Sequence, residues 1–311
     1  MLKQRVITAL ILIAILLPSL AVAPLWPFAA LSLLFVSAAG WEWSRLNQAP
    51  GARAWALGLA VAAISIVIAQ VWQIPLVTPH EGAQAVSAVA QPHVHALGAA
   101  PVGFVVPAWV WWIAAALWVI GGAGALRFGL RYWRAKVPAV LRLVLGLVLL
   151  VLAWLALTEA KLQGLNFLLS VLCLVWAADI GAYFGGRAFG RRKLAPSISP
   201  GKSWEGVVAG MIAGLLLAAL WIAIDQHWSV DSPSLYSRLL MGMGVAGLVL
   251  SVIGLAAMSV VGDLFESLIK RQAGEKDSSQ LLPGHGGVLD RIDALLPVLP
   301  LSLALVSLCH G

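Results

Sequence analysis

Near the C-terminus, residues 267–293 read SLIKRQAGEKDSSQLLPGHGGVLDRID, a polar island between two apolar runs. Within it Lys270, Arg271 and Lys276 supply cationic donors, and Asp277, Asp290 and Asp293 supply carboxylates. His285 stands between them in Pro283-Gly284-His285-Gly286-Gly287. Carboxylate and phosphate oxygens together suit a hard divalent cation such as Mg²⁺, and Lys or Arg neutralises the phosphate charge that remains. Glycines let backbone N–H groups come close to an anion. The chemistry indicated is that of a site for phosphates and metal ions. Taken singly, the same pieces also suit a solvated loop in which Pro-Gly and Gly-Gly make turns.

Taken whole, the string resembles the signature of phosphatidate cytidylyltransferases, or CDP-diacylglycerol synthases. That pattern is S-x-x-K-R-x4-K-D, a short spacer, then P-x-H-G-G-x-x-D-R-x-D. Its fixed positions are filled by Ser267, Lys270, Arg271, Lys276, Asp277, His285, Gly286, Gly287, Asp290, Arg291 and Asp293. A second region is similar to the same family: Asp179 followed by Tyr183-Phe184 and Gly186-Arg187, then Lys193-Leu194-Ala195-Pro196, then Ser199-Pro200-Gly201-Lys202-Ser203-Trp204-Glu205-Gly206. Gly201-Lys202-Ser203 also has the ending of a P-loop, but the glycine five residues earlier is missing and no strand precedes it. The resemblance runs from about Trp176 to Asp293; the earlier part of the chain shows only a compatible membrane plan.

The elements that must position these groups are membrane helices. Of 311 residues 61% are hydrophobic and only 11% charged, and the mean hydropathy of +0.94 is far above that of a soluble domain. The net charge of +7 brings no nucleic-acid motif with it; in a membrane protein Lys and Arg mainly record topology. Cys173 and Cys309 sit in apolar runs with no C-x-x-C spacing and read as free, buried thiols. The expected fold is an all-α polytopic bundle of about nine transmembrane helices with a cytoplasmic N-terminus. Spans are expected near 6–23, 28–40, 55–72, 108–126, 137–157, from 165, 206–224, 239–261 and 294–309. The first also fits the plan of a signal peptide ending at Ala21-Val22-Ala23. Five spans form an N-terminal part, 1–160, with an external linker at 73–107. Four form a catalytic part, 161–311, with cytoplasmic loops at 184–205 and 262–293.

The linker carries His80, His93 and His95, and a solvated segment is the better reading than a metal pair. Trp109, Trp111, Trp112 and Trp118 suit the membrane interface. Asp179 follows fourteen mostly apolar residues; at about 1.5 Å per residue that is roughly 21 Å, short of a ~30 Å hydrocarbon core. It lies either within the membrane, as a functional carboxylate, or at the water interface if the helix breaks at Gly181. Asp263 and Glu266 end the eighth span three residues apart, on one helical face. With alternating spans, all but Lys161 and Arg238 of the 20 Lys and Arg fall on the cytoplasmic side, as the positive-inside rule requires. Both polar regions then share one side.

The residues alone describe a membrane enzyme handling phosphate esters at its cytoplasmic face. The resemblance implies transfer of a cytidylyl group from CTP to phosphatidic acid, among membrane lipids and in a bacterial inner membrane, by a family whose members form homodimers. It implies Mg²⁺ on Asp263 and Asp290, with Asp293 and Asp179 as further ligands and room for a second cation. Asp290 and Asp293 equally suit capping of the last helix. Catalytic roles fall to Asp263, Asp290, Lys270 and His285. Lys202, Ser203, Arg271, Lys276, Arg291, Gly286, Gly287 and Ser199 are substrate-binding candidates. A transferase acting on another lipid phosphate and a transporter are the rival classes, the latter without the internal repeats expected of it.

Overall fold

Once water is excluded, a run of Leu, Ala and Val can satisfy its backbone only within itself, and helices result. The computed structural model describes residues 2–77 and 103–310. Its elements begin with α1 (Leu2–Ala21), α2 (Trp26–Leu46) and α3 (Ala52–Val71). After the linker, α4 (Ala108–Ala116) passes through a π-helical segment, Leu117–Gly122, into α5 (Ala123–Lys136). Then follow α6 (Ala139–Leu162), α7 (Leu165–Phe189), α8 (Trp204–His227) and α9 (Leu235–Ala273). The chain ends with a single turn, α10 (Leu289–Ile292), and α11 (Leu295–Ser307).

Among the described residues six helices are long and apolar enough to cross a membrane: Ala52–Val71, Ala108–Gly129, Ala139–Leu162, Leu165–Phe189, Trp204–His227 and Leu235–Ala273. Neither α2 nor α11 is among them, and the apolar part of α1 spans only Val6–Ala21. The protein is thus a polytopic helical membrane protein.

The fold is not purely helical. Between α7 and α8, β1 (Lys193–Ala195) pairs antiparallel with β2 (Ser199–Ser203). This hairpin occupies what was expected to be a loop. The loop boundaries shift as well: α7 continues to Phe189 without breaking at Gly181, and α9 to Ala273. At 39 residues and about 1.5 Å each, α9 is about twice as long as a ~30 Å apolar core needs. Its last turns therefore carry Ser267, Lys270 and Arg271 on helix rather than on loop. Gly244, at φ 67°, breaks the helix near its start, and Gly274, at φ 78°, closes it in the left-handed conformation.

The helices α7 and α8 approach most intimately, because small residues face each other. A Cβ on Gly210 would stand 2.6 Å from the Ala178 carbonyl oxygen, and one on Gly185 would stand 2.1 Å from Ala209 Cβ. Elsewhere large aromatics fill the core. Trp43, Trp111, Trp154, Tyr236 and Phe167 are fully buried, and Trp43 and Trp154 spend their indole N–H groups on the carbonyls of Arg142 and Ala29. Phe265 is surrounded by Trp43, Trp118 and Trp133 at centroid distances of 6.0, 5.5 and 5.4 Å. Of the four tryptophans expected at the interface, Trp109 and Trp112 are exposed, whereas Trp111 and Trp118 belong to this core. Cys173 and Cys309 are free and only half-buried.

One end of the bundle is closed by an internally satisfied polar network. Asp231 accepts the Asn166 N–H at 2.9 Å; Asp225 accepts Asn166 Nδ2 at 2.8 Å and Ser237 Oγ at 2.6 Å; Arg238 donates to Gln163 Oε1 at 2.5 Å. Lys161 donates to Leu20 O at 2.5 Å. There too Glu159 receives the N–H groups of Val105 and Val106, where the linker rejoins the bundle. His80, His93 and His95 lie outside the described residues. The opposite end carries both polar motif regions.

Candidate active site

At that end, Asp263, Glu266, Ser267 and Lys270 lie three or four residues apart on α9, and so share a face. Ser267 Oγ donates to Asp263 Oδ1 at 3.3 Å. Across from it, β2 presents Lys202, whose Nζ meets Asp263 Oδ2 at 2.6 Å. The hairpin is held in place from both sides. Arg271 Nε donates to Ile198 O in its turn at 3.3 Å, and Glu205, in the first turn of α8, accepts the N–H groups of Arg191 and Arg192. Ser203 caps α8, accepting Gly206 N–H at 3.2 Å. The Lys202 and Asp263 side chains are 25% and 33% exposed, which leaves this pair open to a ligand.

Deeper in, the Lys270 ammonium lies between Glu266 and Asp290, 2.6 Å from Asp290 Oδ1. Glu266 is 2% exposed, and the ammonium lies directly against one of its oxygens. The other oxygen of Asp290 accepts Ser278 N–H at 3.0 Å, Ser278 Oγ at 3.0 Å and Gly287 N–H at 2.8 Å. Burial pushes the Asp290 carboxyl up, but hydrogen bonds with Glu266, Lys270 and the Gly287 N–H outweigh it and hold the group at about 2. Asp293 caps Ala294 N–H at 2.7 Å; burial, and then the charge of Asp263, push its carboxyl up. Asp179 lies within electrostatic reach of Asp263 and Lys202. Asp263 pairs with Lys202, and Asp179 and Asp293 lie within its electrostatic reach, although among the described residues no three acidic, His or Cys side chains converge as a ready-made metal cage.

The remaining candidates divide between the site and its scaffold. Arg291 donates through Nε and Nη2 to His285 O, at 3.0 and 2.5 Å, and Arg271 also donates to Glu275 O. Both arginines brace backbone. Lys276 is exposed, Ser199 half-buried, and His285 Nδ1 is buried with no hydrogen-bond partner among the described residues. Gly286 has φ +82°, and a Cβ there would meet Asp290 Oδ2 at 2.8 Å. A Cβ on Gly287 would lie 2.0 Å from Ser278 Oγ and 2.4 Å from Glu42 Oε1. These glycines shape the loop because nothing larger fits.

Glu42, Ser278 and Ser279 are parts of this cluster that the motif reading did not single out, and Glu266 stood out only as sharing a helical face with Asp263. For Glu42 the available signal was a lone carboxylate closing an otherwise apolar run, the kind of residue a membrane protein rarely keeps without a partner.

The cytidylyltransferase family model matches residues 3–309. The chain belongs to this family. It is similar to a phosphatidate cytidylyltransferase of Pseudomonas aeruginosa, 39% identical over 98% of this chain and 97% of that protein. It is also similar to those of Haemophilus influenzae, 51% identical over 46% of each chain, and Bacillus subtilis, 40% identical over 47% of this chain and 49% of that one. The family match spans the early helices as well, so membership reaches beyond the two polar regions in which the resemblance was legible.

Proposed function

We propose that the chain is a phosphatidate cytidylyltransferase, making CDP-diacylglycerol and pyrophosphate from CTP and phosphatidic acid. The observation that carries the reading is the meeting of the two motif regions, Lys202 on Asp263 and Lys270 on Asp290, in a chain similar along nearly its whole length to a protein of that name.

In the reaction a phosphatidate oxygen attacks the α-phosphorus of CTP, a P–O bond forms, and the bond to pyrophosphate breaks on the opposite side. Phosphatidate is already ionised, so the protein's task is positioning and charge neutralisation. Lys202 serves the phosphates from the open side of the site. Lys270 is held rigidly by Glu266 and Asp290, so its charge reaches the developing negative charge without reorganisation. Asp179, Asp263 and Asp293 are oxygen donors of the kind Mg²⁺ takes, and would hold it if they draw together around it on binding. Asp290 would join them only by releasing Lys270. When bound, Mg²⁺ neutralises phosphate oxygens as a Lewis acid. The exposed Lys276, and Arg291 if it releases the His285 carbonyl, would meet phosphate charge.

For the molecule as a whole, nine crossings, a cytoplasmic N-terminus and a cytoplasmic site in a bacterial inner membrane agree with the placement of Lys and Arg. A homodimer is the expected assembly. The test is incorporation of labelled CTP into lipid by purified protein with Mg²⁺, offering phosphatidate beside a polyprenyl phosphate. CDP-diacylglycerol formation supports the reading, and preference for the polyprenyl substrate overturns it.

A further inference from the structure

The Glu42 carboxylate lies on α2, more than 230 residues from the signature loop in sequence, and is fully buried at 0% exposure. Four donors fill it, all from that loop. Oε1 accepts Ser279 Oγ at 2.5 Å and Val288 N–H at 2.9 Å; Oε2 accepts Ser278 Oγ at 3.1 Å and Leu289 N–H at 2.7 Å. A carboxylate offers about four acceptor positions, and each is used here. The Val288 and Leu289 N–H groups enter α10, where helix geometry leaves them without partners of their own. Directly after them comes Asp290.

Ser278 Oγ touches both carboxylates, Glu42 Oε2 at 3.1 Å and Asp290 Oδ2 at 3.0 Å, yet has a single proton to share between them. A continuous path therefore runs Glu42–Ser278–Asp290–Lys270. The next residue on α2, Trp43, packs on Phe265 beside Glu266, so α2 is registered on α9 at the same level. Close packing around Gly287 leaves the loop no slack.

The geometry points to Glu42 as a positioning residue for the cytidylyl transfer: through Ser278 and the start of α10 it fixes Asp290, and through Asp290 the Lys270 ammonium. This rests on the functional reading above, and it draws the N-terminal helices into the active site. The competing role is purely structural, in which Glu42 only satisfies buried N–H groups and contributes to stability.

Glu42→Gln separates the two, because the amide keeps the size but turns an NH₂ donor toward groups that are themselves donors. Kinetics of CTP and phosphatidate turnover, thermal unfolding in detergent and tryptic cleavage after the exposed Lys276 would be measured on wild type, Glu42→Gln, Ser278→Ala and the double variant. The expected result is a kcat loss of about 100-fold, the scale of a ~1 Å misplacement, with both KM values within about threefold and faster cleavage after Lys276. The double variant should be no slower than Glu42→Gln alone, since the two act through one contact. A kcat within about twofold of wild type overturns the inference, as does a loss no larger than the fall in folded protein, or additive effects in the double variant. An inactive wild type would sink the functional reading; unchanged cleavage after Lys276 in Glu42→Gln would then sink this one separately.

Discussion

At Asp290 a buried charge and the backbone of the signature loop meet. Its folded carboxyl is held at about 2 against an ordinary 3.8, so acid is taken up first by the unfolded chain. Its contribution to stability is complete above about pH 4 and disappears as pH falls toward 2. The unfolding midpoint in detergent should drop across that window, and Asp290→Asn should remove this part of the drop. Asp263 presents the more exposed chemistry, paired with Lys202 but open to ligand. Asp263→Asn should lower kcat by about 10² to 10³, the cost of removing one preorganised electrostatic group, while the circular dichroism of the helices stays unchanged. Full activity in that variant would overturn the proposed role of Asp263. The motif spacing made Lys270 and Asp290 legible as chemistry, and Asp263 stood out as a carboxylate ending an apolar span, but the pairing of Lys202 with Asp263 did not show. That pairing crosses from a hairpin to a helix, and no periodicity encodes it.

Elements matter through their surfaces. The contact between α7 and α8 carries Asp179 on one side and leads from the Lys202 hairpin on the other, and it depends on glycines that let the backbones approach. Gly210→Leu places a side chain where even a Cβ comes within 2.6 Å of Ala178 O. Low membrane yield and a lowered unfolding temperature are expected, and a variant as stable as wild type would refute the packing argument. Gly254 on α9 is the contrast, with nothing within 4 Å of its added Cβ. Gly254→Ala should stabilise by roughly 0.5–1 kcal/mol, the gain from restricting the unfolded chain, with activity retained. The apolar runs announced these helices readily. Their ends were less legible, since α9 carries its helix through charged residues to Ala273 and the hairpin hides among Pro and Gly.

Across the whole molecule, the two ends of the bundle are chemically unlike. One end holds Lys161 and Arg238 in hydrogen bonds to the protein itself; the other gathers the charges of the site. With Cys173 and Cys309 replaced by Ser, a cysteine at Ser197 should react with a membrane-impermeant thiol reagent only in inverted vesicles, and one at Ser229 only in right-side-out vesicles. The reverse pattern would invert the proposed orientation. Six helices meet the length and hydropathy of a crossing; whether α1, α2 and α11 also cross is answered by the same labelling applied to their connecting loops.

Composition and motif spacing by themselves determined that this is a helical membrane protein and singled out a polar island whose residue types suit phosphates, because hydropathy and fixed spacings are local properties of a chain. Which residues meet was decided only by the tertiary structure. Glu42 reaches Ser278 and Leu289 because α2 packs against α9, and Trp111 and Trp118 are buried because of what surrounds them. In helices apolar on nearly every side, no amphipathic stripe in the sequence says which face will find which partner.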